Sequence, residues 1–270
     1  MRNIKLLISF DGTDFCGWQR QKNKLPTLQG VIEEKLAIIC NQPVTLHGAG
    51  RTDRGVHALG MVAHFLCSSD IACSGLQKGL NSLLPEAIRI LAAADVDHHF
   101  HARKSARAKT YCYYFSTAPL VVATRRLYVT SLPGPFDQAE VARCLAHIVG
   151  CHDFSSFEAV GSRDRTRTTG RGAVRTIMDA SLMQDQNPHH FKLLLRGDGF
   201  LRKMVRNIVG TLFEVGQGRM SARRFQAALA AKDRHQAGPT APACGLFLDH
   251  IEYDQGESVA ASALVKKNQH

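Results

Sequence analysis

The segment AKTYCYYFST, Ala108 to Thr117, decides how the chain divides. Tyr111, Tyr113 and Phe115 alternate with Cys112, Tyr114 and Ser116. That period of two predicts a strand with both faces usefully occupied, and the strand opens a second half. Upstream, IKLLISFDG reads as a strand ending in an Asp-Gly turn. TLQGVIEEKLAIIC follows as a helix, with Leu28, Val31, Ile32, Leu36 and Ile39 at helical spacing and Thr27 as cap. MVAHFLC predicts a strand, SGLQKGLNSLLPE a helix stopped at Pro85, and AIRILAAADV another strand.

Downstream of the tyrosine strand, DQAEVARCLAHIVG predicts a helix. Asp137 and Glu140 form a capping-box pattern, and Val141, Leu145 and Ile148 form its apolar stripe. HHFKLLLRGDGF predicts a strand and turn, FLRKMVRNIVGTLFEVG a long helix, SARRFQAALAAKD a shorter one capped by Ser221, and CGLFLDHIEYD a closing strand. Within the long helix Leu201, Met204, Val205, Ile208, Val209 and Leu212 share one arc, flanked by Arg202 and Arg206. Both halves have similar element order without a clear sequence repeat. The expected organisation is an N-terminal α+β half over 1–105, a C-terminal α+β half over 106–254, and a loose polar tail over 255–270.

The 270 residues suffice for one large core or two ordinary domains. With 44% hydrophobic and 21% charged residues the composition is that of a soluble globular chain. The formal charge of +11 points to a polyanionic partner, nucleic acid first. Eight cysteines are scattered with no Cys-x-x-Cys pair, several inside apolar runs, as expected of buried thiols in a reducing compartment. The apolar run near the N-terminus is too short for a signal peptide, and no stretch approaches a membrane span, so a cytoplasmic protein is expected.

The chemistry centres on HGAGRTDRGVHALG, His47 to Gly60. An aspartate among glycines is ordinarily a turn former. Here Gly48, Gly50 and Gly55 permit a loop that projects a short side chain, and Arg51 and Arg54 flank Asp53. Such arginines favour an ionised carboxylate and bind phosphate bidentately. The glycines do not form a nucleotide-binding fingerprint, and no serine-nucleophile elbow is present. His47, His57 and His64 lack metal-ligand spacing, and His64, inside an apolar strand, reads as a satisfied core histidine. Two basic segments add to the picture. GSRDRTRTTGRGAVR carries Arg163, Arg165, Arg167, Arg171 and Arg175, and FHARKSARAK carries Arg103, Lys104, Arg107 and Lys109 beside Tyr111. Both suit phosphate contacts, or a solvated surface.

With these residues assembled, the sequence resembles the TruA family of tRNA pseudouridine synthases. The matching blocks run in order: FDGTDFCGWQRQ with TLQG, GAGRTDRGVHALG, NSLLP, FHARKSARAKTYCYYF, GCHDFSSF, VRTI, GFLRKMVRNIVGTLFEVG and CGLFLDHIEYD. The resemblance implies that Asp53 is the catalytic nucleophile and that Arg51 helps turn out the target base. It implies that Tyr111 packs on the flipped uracil and that Arg206 pairs with the catalytic carboxylate. Arg54 stands where the family commonly has alanine, Met61 where glutamine is common, and Thr110 where a basic residue is frequent. Arg54 is carried as an additional substrate contact.

The implied fold is two ferredoxin-like halves joined in one mixed, mainly antiparallel sheet, with helices on one face and a central RNA-binding cleft. The implied reaction is isomerisation of uridine to pseudouridine at positions 38 to 40, in the anticodon stem-loop of tRNA, by a homodimer. No cofactor or metal is expected, because the product is an isomer of the substrate. Two other readings stand beside it: a non-catalytic tRNA-binding protein on the same fold, and a hydrolase of free nucleosides.

Overall fold

The computed structural model describes residues 1–21, 25–162 and 170–254. Arg163, Arg165 and Arg167 of the basic loop, and the expected tail after Asp254, lie outside the described residues. The chain forms two compact units. One holds Met1–Lys109 with the return from Phe247, and the other holds Thr110–Leu246.

The first unit is built from β1 (Arg2–Phe10), α1 (Leu28–Cys40), the short β2 (His47–Gly48), β3 (His57–Cys67), α2 (Cys73–Leu83) and β4 (Ile88–Val96). β1 lies between β4 and β3, antiparallel to both, and β2 pairs antiparallel with β3. The closing strand of the chain, Leu246–Glu252, runs parallel to β3, with Phe247 opposite His57. Ile4, Leu6 and Ile8 of β1, Phe65 of β3 and Leu28, Ile32 and Leu36 of α1 are fully buried and belong to the core. Thr27 caps α1 as its sequence predicts, its side chain accepting from Gly30 N. Lys5 is buried against two rings, its Nζ 5.0 Å from the Phe100 centroid and 4.9 Å from that of Tyr253. That geometry offsets part of the cost of taking an ammonium out of water. His64 is the satisfied core histidine expected of it: Nδ1 accepts from Ala102 N, and burial drives its pKa down to about 4, aided by His101 and His47.

The second unit contains β5 (Ala108–Ser116), whose first two residues belong to the first unit, and the short β6 (Thr130–Ser131). It continues with α3 (Gln138–Ile148), β7 (Gly150–Asp153), β8 (Val174–Gln184), β9 (His190–Gly197), α4 (Met204–Gly216) and α5 (Ala222–Ala231), and ends at Leu246, the first residue of β10 (Leu246–Glu252), whose remainder belongs to the first unit. The strand order β5-β9-β8-β7 carries antiparallel β7/β8 and β8/β9 pairs, and β6 runs parallel to β5. Each unit is therefore α+β with a mixed, mainly antiparallel sheet. Phe115, Phe136, Phe191 and Phe213 pack ring on ring in the second core.

Four expectations need correction. The segment after the basic loop is a strand: β8 begins at Val174 and takes in Arg175. The predicted long helix starts later, at Met204, because Lys203 adopts the left-handed conformation at φ 61°. Arg202 and Arg206 are therefore not neighbours on one helix flank. The capping box on α3 is half formed: Asp137 accepts from Glu140 N, but Asp137 N donates to Gly216 O, and Glu140 pairs with Arg143 instead. Of the cysteines, Cys40, Cys67, Cys112 and Cys144 are buried as expected, whereas Cys151 is exposed.

Candidate active site

The Asp53 loop is seated by two segments that precede it in sequence. β1 runs into an Asp turn, where Asp11 Oδ1 accepts from Thr13 N at 2.9 Å and from Thr13 Oγ1 at 2.6 Å. The chain then passes Gly12 and Gly17 and reaches Trp18. Trp18 N donates to Thr52 O at 3.1 Å, Gly55 N to Gly12 O at 3.2 Å, and Val56 N to Asp53 O at 3.2 Å. The approach is close enough to demand glycine. A Cβ on Gly12 would stand 2.0 Å from Val56 O, and one on Gly17 would stand 2.6 Å from Thr52 O, at a φ of +86°. Gly48 lies against the Trp18 indole, where a Cβ would meet the ring at 2.6 Å.

Helix α1 holds the strand leading into the loop. Gln29 Nε2 donates to Leu46 O at 3.1 Å and to Glu33 Oε1 at 3.0 Å, while Leu46 N donates to Glu33 Oε1 at 2.9 Å. Gln29 and Glu33 are both buried. A buried carboxylate accepting two N–H donors is well compensated for its lost hydration. Beyond the loop, His57 is buried with its Nδ1 3.2 Å from Gly12 N and 3.1 Å from Asp11 Oδ1, its ring stacked on Phe247 at 4.6 Å. Lys109 Nζ donates to Ala49 O at 2.7 Å. Each end of the loop is thus tied to ordered elements, and Asp53 sits half-buried at its crest.

Arg51 and Arg54 are exposed on either side of Asp53. Neither pairs with it, contrary to the expectation that they hold it ionised directly. Among the described residues neither guanidinium has a hydrogen-bond or ion-pair partner, so both are available to an outside anion. The second basic segment is partly committed elsewhere. Arg107 pairs with Asp254, its Nη2 2.6 Å from Oδ2, and Lys109 holds the loop, leaving Arg103 and Lys104 exposed. Arg171 pairs with Asp198, and Arg175 Nη1 donates to Gly172 O and Val174 O. His57 is engaged by the Asp11 turn, and His47 stacks on His64 at 5.1 Å, so the histidines read as scaffold.

The other two expected site residues belong to the second unit. Tyr111 lies on β5 with 8% of its surface exposed, edge-to-face with Phe200 at 5.0 Å. Arg206 lies in the first turn of α4. Its Nε donates to Ala241 O at 2.8 Å, and its own carbonyl accepts from Ala241 N at 3.0 Å. The segment 238–241 is locked to the same helix. Thr240 Oγ1 donates to Asn207 Oδ1, Gly238 N donates to Thr211 Oγ1, and a Cβ on Gly210 would stand 1.8 Å from Pro239 O. The structure brings Arg51, Asp53 and Arg54 together on one loop. It places Tyr111 and Arg206 on regular elements of the other unit. The supports missed in the sequence reading are Gly12, Gly17 and Trp18. Two glycines around the chain's one tryptophan in a polar stretch were the available signal.

A family profile described as tRNA pseudouridine synthase matches residues 6–103 and 145–254. The chain is 51% identical over 254 residues to tRNA pseudouridine synthase A 1 of Desulfotalea psychrophila, covering 94% of this chain and 100% of that protein. It is 42% identical over 255 residues to tRNA pseudouridine synthase A of Acetivibrio thermocellus, with the same coverage. It is also 42% identical over 256 residues to tRNA pseudouridine synthase A of Maridesulfovibrio salexigens, covering 94% of this chain and 92% of that protein.

Proposed function

The chain belongs to the tRNA pseudouridine synthase family, and from that premise we propose that it isomerises uridine to pseudouridine in the anticodon stem-loop of tRNA, with Asp53 as nucleophile. The observation that carries the reading is Asp53 itself. It is a half-buried carboxylate on a loop whose backbone is fixed by Trp18, Gly12 and Gly17, between two arginines that have no partner among the described residues. A nucleophile on so constrained a loop keeps its attack geometry without reordering at each turnover.

The reaction follows from these groups. The target uridine leaves its stack at a cost of a few kcal/mol. Stacking on the Tyr111 ring offsets on the order of 1–3 kcal/mol of it. Arg51 and Arg54 take backbone phosphates exposed by that movement. Asp53 attacks as a carboxylate and forms a C–O bond to the nucleoside, and the bond between ribose C1′ and the base nitrogen breaks. The base turns, C5 bonds to C1′, and the aspartyl C–O bond breaks to restore the carboxylate. C5 then loses its proton, with the Tyr111 hydroxyl as the assisting group, and the freed nitrogen takes up a proton in its place. Arg206 orients the carboxylate. Substrate and product have the same atoms and oxidation state, so the reaction consumes no electron or group carrier. The reading includes a cytoplasmic homodimer that shares one tRNA. No helix among the described residues is long and apolar enough to cross a membrane.

Asp53→Asn tests the assignment. The amide keeps the size and removes the nucleophile, so pseudouridine formation is expected to fall by at least a thousand-fold while tRNA binding stays within a few-fold. Substantial turnover by this variant would overturn the role of Asp53. Loss of binding equal to the loss of turnover would make Asp53 a structural residue of the loop.

A further inference from the structure

The second unit contains a cleft of about 540 Å³ lined by its own residues, among them Arg202, Lys203, Arg234, Asn207, Gly238 and Thr240. Among the described residues no aspartate or glutamate lines it, and none of its three Lys or Arg side chains has a carboxylate partner. Arg234 is held by neutral groups: Nη1 donates to Ala237 O at 3.2 Å, and Nη2 lies 3.3 Å from Asn207 Oδ1 and 3.4 Å from Thr240 Oγ1. Asn207 is wholly buried and fixed in turn by Nδ2 donating to Phe157 O at 2.8 Å. Burial lowers the pKa of Arg234. The Arg234 guanidinium is thus positioned by a buried network with no described negative charge opposing it, and a guanidinium so placed is suited to an external anion.

Lys203 gives an independent observation. It adopts φ 61°, a conformation that glycine takes freely and a lysine takes against strain. The strained residue stands at the cleft wall, beside Arg202. Strain of this kind persists only where the surrounding structure imposes it, and it clusters at ligand-binding sites.

We propose that this cleft seats a backbone phosphate of the RNA substrate, held by Arg202, Lys203 and Arg234. The volume suits a nucleotide-sized unit. Apart from His235, no aromatic residue among the described ones lines the cleft, so it offers no platform on which a base would stack. What it recognises is the charged backbone, independent of sequence. The site rests on the reading of the protein as a tRNA-modifying enzyme. It adds a positioning contact, made by the second unit, that carries no chemistry of its own.

The test measures tRNA affinity against salt concentration for the wild type and for Arg202→Gln, Arg234→Gln and Lys203→Gly, with thermal melting of each. Each substitution is expected to weaken tRNA binding about three- to twenty-fold at physiological salt. Each is also expected to reduce the slope of log affinity against log salt by roughly 0.7–0.9 for every phosphate that the variant no longer neutralises. A purely structural role would not change that slope. Lys203→Gly relieves the backbone strain, so it is expected to melt no lower than the wild type while binding more weakly. The Arg202 side chain makes no hydrogen bond among the described residues, so Arg202→Gln serves where Arg234→Gln fails to fold.

Unchanged affinity and slope in folded Arg202→Gln and Lys203→Gly would overturn the proposal. So would inorganic phosphate or uridine monophosphate that binds the wild type in an Arg234-dependent way without competing with tRNA, since the cleft would then serve a free anion. Failure of the wild type itself to bind tRNA overturns the functional reading and this site with it. That result needs no variant, so it is distinguishable from failure of the cleft alone.

Discussion

Asp53 draws its meaning from what holds it. The residues around it, read alone, left a turn and a working loop both open, because glycine and aspartate serve either purpose. The structure adds Trp18 N on Thr52 O and a glycine at position 17 that no side chain could replace without displacing the loop. Tyr111 tests the same account from the second unit. Its ring is expected to stack on the target base, so Tyr111→Phe retains tRNA affinity within about two-fold and loses turnover. Tyr111→Ala is expected to lose about ten-fold or more in affinity as well, in line with the roughly 1–3 kcal/mol worth of base–aromatic stacking. Equal affinity losses in the two variants, measured by filter binding, would remove the stacking role. The basic residues were harder to read. Lys109 holds the Ala49 carbonyl and Arg107 pairs with Asp254, whereas Arg51 and Arg54 remain unengaged among the described residues. Sequence gives a side chain's charge but not which neighbour neutralises it.

At the scale of elements, helices with clean apolar stripes and polar caps were legible. α1, α3 and α5 carry their side-chain caps at Thr27, Asp137 and Ser221 as read. β8 was not legible, because Ile177 is its one fully buried residue and the rest of the strand shows no alternation. The start of α4 was overread: Leu201 falls three residues before Met204 and mimics a helical turn that the left-handed Lys203 forbids. The supports of the site were invisible for a related reason, since they are backbone contacts between segments thirty or more residues apart. Gly17→Ala tests them. A methyl group 2.6 Å from Thr52 O, at a φ of +86°, forces the loop off its seat. The expected cost is about 2–4 kcal/mol in urea-denaturation stability, from strain together with the steric clash. Turnover is expected to fall more than tRNA binding. A variant with wild-type stability and rate would mean that the loop does not depend on this glycine.

For the molecule as a whole, the α+β character and the polyanion-binding charge were legible early: strand and helix periods gave the first, the +11 balance the second. The distribution of the candidate residues between the two units was not. One unit carries the Asp53 loop, and the other carries Tyr111, Arg206 and the basic cleft beside α4. Chain order alone conceals that the last strand returns to pair with β3 in the unit where the chain began. Incubating the protein with tRNA that bears tritium at C5 of its uridines tests the proposed reaction and its substrate together. Tritium release that maps to the anticodon arm is expected, with no free uracil and no loss of nucleosides. Absence of release, release from another arm, or the appearance of free uracil would contradict the proposal.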